Sequence, residues 1–166
     1  LVARLVVVEA PFHGLRHAYS AVLATALRLK IRQLRGQRQR AAEEFLRFGS
    51  AFRSGGNGYD HAPEPIRAGL LANSGPVLAE WDPHPFGVMH EHLPTRSLGR
   101  ITAPVTWVLG GESPPWMRTL HDRAVSRLRS VQTVTIDGAG HLVHLDQPAA
   151  FVDTVTRAWR PPVVGV

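Results

Sequence analysis

Three short runs of apolar, mostly β-branched residues set the frame for this chain, and their spacing is very unequal. Arg4-Leu5-Val6-Val7-Val8-Glu9 stops just before Pro11, Pro104-Val105-Thr106-Trp107-Val108-Leu109 runs into Gly110-Gly111, and Val131-Gln132-Thr133-Val134-Thr135-Ile136 runs into Asp137-Gly138. Apolar runs without strict alternation predict buried strands of a parallel sheet covered on both faces. Between the second and third runs, residues 115–128 read as a helix. Pro114 and Pro115 suit its first turn, and Trp116, Leu120, Ala124 and Leu128 recur at helical spacing. After the third run, residues 148–159 read as another helix, with Asp146 as its expected cap and Phe151, Val152, Val155 and Trp159 as its inner stripe. Pro161 and Pro162 stop it. Strand, helix, strand, helix predicts an α/β fold: three parallel strands in right-handed βαβ units with flanking helices.

The interval between the first two runs is far too long for one crossover helix, so residues 15–99 are expected to hold an insertion. Residues 15–52 read as helical and basic, with Arg28, Lys30, Arg32, Arg35, Arg38 and Arg40 clustered. Ser54-Gly55-Gly56-Asn57-Gly58 is a break, residues 64–81 a second helical segment interrupted near Ser74-Gly75-Pro76, and residues 83–87 a loop.

Cysteine is absent, which removes disulfides, thiolate metal sites and a cysteine nucleophile, and suits the cytoplasm. No apolar run reaches the roughly 18 residues that span a membrane. The first residue is Leu1, already inside an apolar stretch, which reads most simply as a fragment. The formal charge of +6 is carried almost wholly by arginine, with Lys30 the only lysine. Such a balance raises nucleic acid as a partner. With no accompanying binding motif, a solvated basic face is the better reading.

The densest chemistry lies in Ile136-Asp137-Gly138-Ala139-Gly140-His141, followed by Asp146-Gln147-Pro148. A strand ends, two glycines permit a tight turn, and a histidine stands at its tip. Strand carboxyl ends form the ligand crevice of a parallel α/β sheet. A histidine there can serve as general base to a neighbouring nucleophile.

These segments in this order resemble the last part of the α/β-hydrolase fold. The resemblance covers the chain end to end. It implies a truncated α/β-hydrolase sandwich: a core formed by residues 1–14 and 100–166, and a helical cap inserted at residues 15–99, matched by position rather than by motif. It also implies that His141 is the triad histidine, with His144 structural. The family usually places its acid in a Gly-x-x-Asp pattern after the second of these strands. Here that stretch is Gly110-Gly111-Glu112-Ser113, so Ser113 stands where aspartate is expected and Glu112 lies one place early. Some members carry the acid at the end of the preceding strand, where this chain has Glu9. A carboxylate closing an apolar strand needs a partner, and Glu9 is placed ahead of Glu112. No Gly-x-Ser-x-Gly elbow occurs in the sequence. In the family it precedes the strand at residues 4–9.

The expected function is therefore hydrolysis of an ester or related bond in a small-molecule substrate, by a fragment that alone is inactive. No cofactor or metal is called for. His84, His90 and His92 read as a solvated loop rather than zinc ligands. The rival readings are a non-catalytic basic binding module and an inactive truncated gene product. An unpartnered edge on the first strand predicts self-association.

Overall fold

The computed structural model describes residues 2–10, 19–76, 78 and 95–160. Strands β1 (Leu5–Val8), β2 (Val105–Gly110) and β3 (Val131–Ile136) form a parallel sheet in the order β1-β2-β3. Leu5 pairs with Val105 and Val8 with Val108, while Val105 pairs with Val131 and Gly110 with Ile136. All three carboxyl ends therefore reach the same end of the sheet.

Successive side chains of a strand point to opposite faces, and β2 uses both. Trp107 meets Val7, Leu98 and Ala124 on one side, and Val108 meets Ile136, Ala139 and Val143 on the other. Between β1 and β2 the described chain forms α1 (Tyr19–Leu34), α2 (Arg38–Gly49), α3 (Gly58–His61), α4 (Glu64–Ala72) and α5 (Thr95–Leu98). Helix α6 (Pro115–Val125) joins α5 against the Trp107 face. Helices α7 (Val143–Asp146) and α8 (Pro148–Trp159) cover the Val108 face. This is a three-layer sandwich around a three-stranded sheet.

Only the central strand is buried on both faces, which corrects the expectation of three buried strands. Gln132, Thr133 and Thr135 of β3 are exposed, because β3 has a single neighbour in the described sheet. The inner stripe of α8 also differs. Phe151 packs on the core and Thr154 is buried, while Val152 and Trp159 are both 60% exposed. Helix α6 ends three residues earlier than expected, at Val125, where Ser126 caps it.

The basic segment is not one helix. Gly36 takes φ +69°, a conformation suited to glycine, and turns α1 back onto α2. The hairpin closes through Ala26, Leu29 and Ala41, with Phe45 and Phe48 beside them. Part of its positive charge is neutralised internally: Arg28 and Arg32 both bind Glu44, and Arg47 binds Asp60. Helix α4 ends at Ala72, with Asn73 as its cap. The loop at residues 83–87 and His84, His90 and His92 lie outside the described residues. Among the described residues no helix is long and apolar enough to cross a membrane.

Candidate active site

Glu9 follows β1 directly. Its N–H donates to the Val108 carbonyl at 3.1 Å, so it continues the ladder, yet its φ of +45° turns the chain out of strand geometry. That conformation costs a non-glycine residue on the order of 1 kcal/mol or more and concentrates at functional sites. The turn carries the carboxylate into the sheet end, where Glu9 is 2% exposed. A buried carboxylate is tolerable only when its oxygens are satisfied. Oε1 accepts the Gly110 N–H at 2.5 Å and the Ser113 hydroxyl at 2.7 Å. Oε2 lies 3.2 Å from Nδ1 of His141.

His141 reaches this position through the turn after β3. Gly138 takes φ +71°. The Gly140 N–H donates to Asp146 Oδ2 at 2.8 Å, which holds the turn against α7. Two backbone bonds stitch it to the turn after β2: Gly111 N–H to the Ile136 carbonyl at 2.9 Å, and Glu112 N–H to the Ala139 carbonyl at 2.8 Å. Gly110 is needed here, since a Cβ would strike the carbonyl oxygens of Ala139 and Gly140. The imidazole is 24% exposed, so one edge is held by Glu9 and the ring is still reachable from outside.

Aromatic residues flank the histidine. The Trp116 ring lies 6.3 Å from that of His141 and stacks on Phe48 of α2 at 5.8 Å with an interplanar angle of 3°. Phe52, from the loop after α2, lies so close to Gly140 that a Cβ there would come within 2.8 Å of its ring. The segment between β1 and β2 thus reaches the strand ends that carry Glu9 and His141.

Glu112 is engaged elsewhere. Its carboxylate accepts from Arg53 at 3.2 Å and from the Ser54 N–H at 3.2 Å. Hydrogen bonding from Ser54, and then from Arg53, holds its carboxyl below the ordinary carboxylate range. Glu112 ties the turn after β2 to the loop at Arg53 and Ser54, while Glu9 is the carboxylate brought to His141. Asp146 is not the cap of α8. That place falls to Gln147, without a side-chain capping bond, because Asp146 is turned inward to Gly140. Burial pushes its carboxyl upward, against the opposing effects of the Gly140 N–H, His144 and His141. His144 lies tilted against Phe151, with ring centroids 6.0 Å apart. Among the described residues no cluster of His, Asp and Glu could hold a metal ion.

The structure brings together Glu9 and His141, both expected from the sequence, with neighbours that the sequence reading did not pair with them: the Gly110 N–H, Trp116 and Ser113. The Gly110 N–H and the Trp116–Phe48 stack leave no local trace in the sequence. Ser113 does leave one: a polar residue at the place where aspartate was expected.

A profile of the alpha/beta hydrolase family matches residues 1–154, and the chain belongs to that family. An α/β hydrolase from Sphaerobacter thermophilus is 21% identical, with a TM-score of 0.57 over 96% of this chain and 59% of its own. A carboxylesterase from Bacillus subtilis is 20% identical, with a TM-score of 0.62 over 93% of this chain and 50% of its own. An esterase from Exiguobacterium antarcticum is 17% identical, with a TM-score of 0.66 over 94% of this chain and 56% of its own. At these identities the likeness is one of fold, and the chain spans little more than half the length of those structures. No curated protein matches it.

Proposed function

We propose that this chain supplies the acid and base of a triad hydrolase acting on a small ester. The observation that carries the reading is the contact between a fully buried carboxylate, Glu9, and the partly exposed His141. Nδ1–H donation to Glu9 leaves Nε2 with a free lone pair. It can then take a proton from an attacking hydroxyl and return it to the leaving group, while Glu9 stabilises the imidazolium formed between these steps.

The nucleophile is not in this sequence. Ser113 places a hydroxyl against the pair, but it is 1% exposed and its proton is donated to Glu9. The sequence has no Gly-x-Ser-x-Gly elbow. Following the family's order of segments, we assign the elbow and the oxyanion donors to a segment N-terminal to β1. The esterases among the structural neighbours favour an ester as substrate. A basic binding module is disfavoured by the internal pairing of Arg28, Arg32 and Arg47 with carboxylates.

The test is aryl-ester turnover by the protein extended N-terminally through its elbow. His141→Ala should lower kcat on the order of 10⁴-fold or more, and the 166-residue chain alone should turn over no faster than its own His141→Ala variant. Turnover of the extended protein that survives His141→Ala would sink the proposal.

A further inference from the structure

We infer that Ser113 is a positioning residue: it clamps Oε1 of Glu9 so that Oε2 is presented to Nδ1 of His141. The inference rests on the reading of Glu9 and His141 as acid and base.

A glutamate carboxylate rotates freely about its last bond, because that torsion has broad minima. One donor at one oxygen leaves this rotation open. Here Oε1 receives two donors from different directions, the Gly110 N–H at 2.5 Å and the Ser113 hydroxyl at 2.7 Å. Both come from the end of β2 and the turn after it. The Ser113 N–H donates in turn to the Gly110 carbonyl at 3.2 Å, so the two donors belong to one rigid turn. Together they fix the carboxylate plane. The remaining oxygen then stands 3.2 Å from Nδ1, at the long end of an N–H···O bond. A modest rotation of the carboxylate would break that contact, so the pair depends on its clamp. Ser113 is also 1% exposed, which leaves its hydroxyl no solvent to turn to.

The test uses the chain itself, with ¹⁵N-labelled histidine and NMR. The unsubstituted chain should show a downfield Nδ1 proton on His141, slow to exchange with water, and a dominant Nδ1–H tautomer. Ser113→Ala should speed that exchange by about tenfold or more, as expected when a hydrogen bond to a charged group is lost, and should mix the tautomers. Ser113→Thr, which keeps the hydroxyl, should preserve both signals. Unchanged exchange and tautomer in Ser113→Ala would overturn the clamp, even if the melting temperature fell. Should Ser113→Ala not fold, Ser113→Cys places a weak donor of similar size there, with the same expected direction and the same overturning result. A Ser113-dependent proton in a protein whose ester turnover ignores His141 would leave the clamp standing and remove the functional reading. Turnover that needs His141, beside a proton indifferent to Ser113, would do the reverse.

Discussion

Glu9 Oε2 and His141 Nδ1 lie 3.2 Å apart although 132 positions separate them in the chain. The contact is made by strand ends: Glu9 follows β1, His141 follows β3, and the turn after β2 stands between them with Gly110 and Ser113.

The two carboxylates considered for the acid should separate cleanly. In the N-terminally extended protein, Glu9→Gln should reduce kcat for an aryl ester roughly 10²–10⁴-fold, the range for an acid that orients a triad histidine. Glu112→Gln should leave kcat within a few-fold, because its partners are Arg53 and Ser54. The opposite ranking would move the acid to the turn after β2.

Glu112 should still matter to stability at low pH. Its folded carboxyl is held below the ordinary range, with Ser54 the leading cause. A depressed carboxylate contributes stability above its unfolded pKa, and that contribution is lost as pH falls through the folded value. Denaturation midpoints measured against pH should therefore decline less on the acid side in Glu112→Gln than in the parent.

Asp146 has the opposite sign. Burial raises its folded carboxyl above the unfolded value. Its contribution is complete below the unfolded pKa, about 3.9, and is lost as pH rises through the folded value. Asp146→Asn keeps an oxygen for the Gly140 N–H without the charge. Its stability should match the parent in acid and exceed it at neutral pH, by chemical denaturation. Equal midpoints at both pH values would contradict the assignment.

The two glycines at the site should respond differently to alanine. Gly110→Ala places a methyl against backbone carbonyls that cannot yield, and should destabilise by about 3 kcal/mol or more. Gly140→Ala meets the ring of Phe52. Phe52→Leu should therefore recover part of its loss, visible as non-additivity in a double-mutant cycle.

In the described sheet β1 is paired on one side only. Such an edge invites pairing with another chain. We expect the 166-residue chain to show mass rising with concentration by light scattering. A concentration-independent monomer would be the contrary result.

Much of the fold was legible because it is written in local pattern. The three strand runs and the Gly138–Gly140 turn carry their conformation in neighbouring residues, and a carboxylate closing Val6-Val7-Val8 had to find partners. What was hidden depends on distance. Nothing near Val152 or Trp159 tells which face of α8 finds a neighbour, so the apolar stripe misjudged the buried one. The apolar look of β3 could not reveal its edge position. Gly36 was lost inside a helical composition, although one left-handed glycine was enough to make two helices. Asp146 sat where a cap belongs, and only the fold of the turn before it showed that Gly140 claims its oxygen.

The left-handed backbone of Glu9 has a consequence for how the chain chooses its pairing. Side chains alternate along a strand, so shifting β1 by one residue against β2 would swing Glu9 to the other face of the sheet. The Gly110 N–H and the Ser113 hydroxyl would then lose their acceptor, and a carboxylate would be left in the interior without donors, at a cost of several kcal/mol. Valines in a row discriminate poorly between alignments, since each resembles the next. The same atoms proposed to hold the histidine would therefore also penalise misaligned forms of the sheet, a discrimination that the valines alone could not supply.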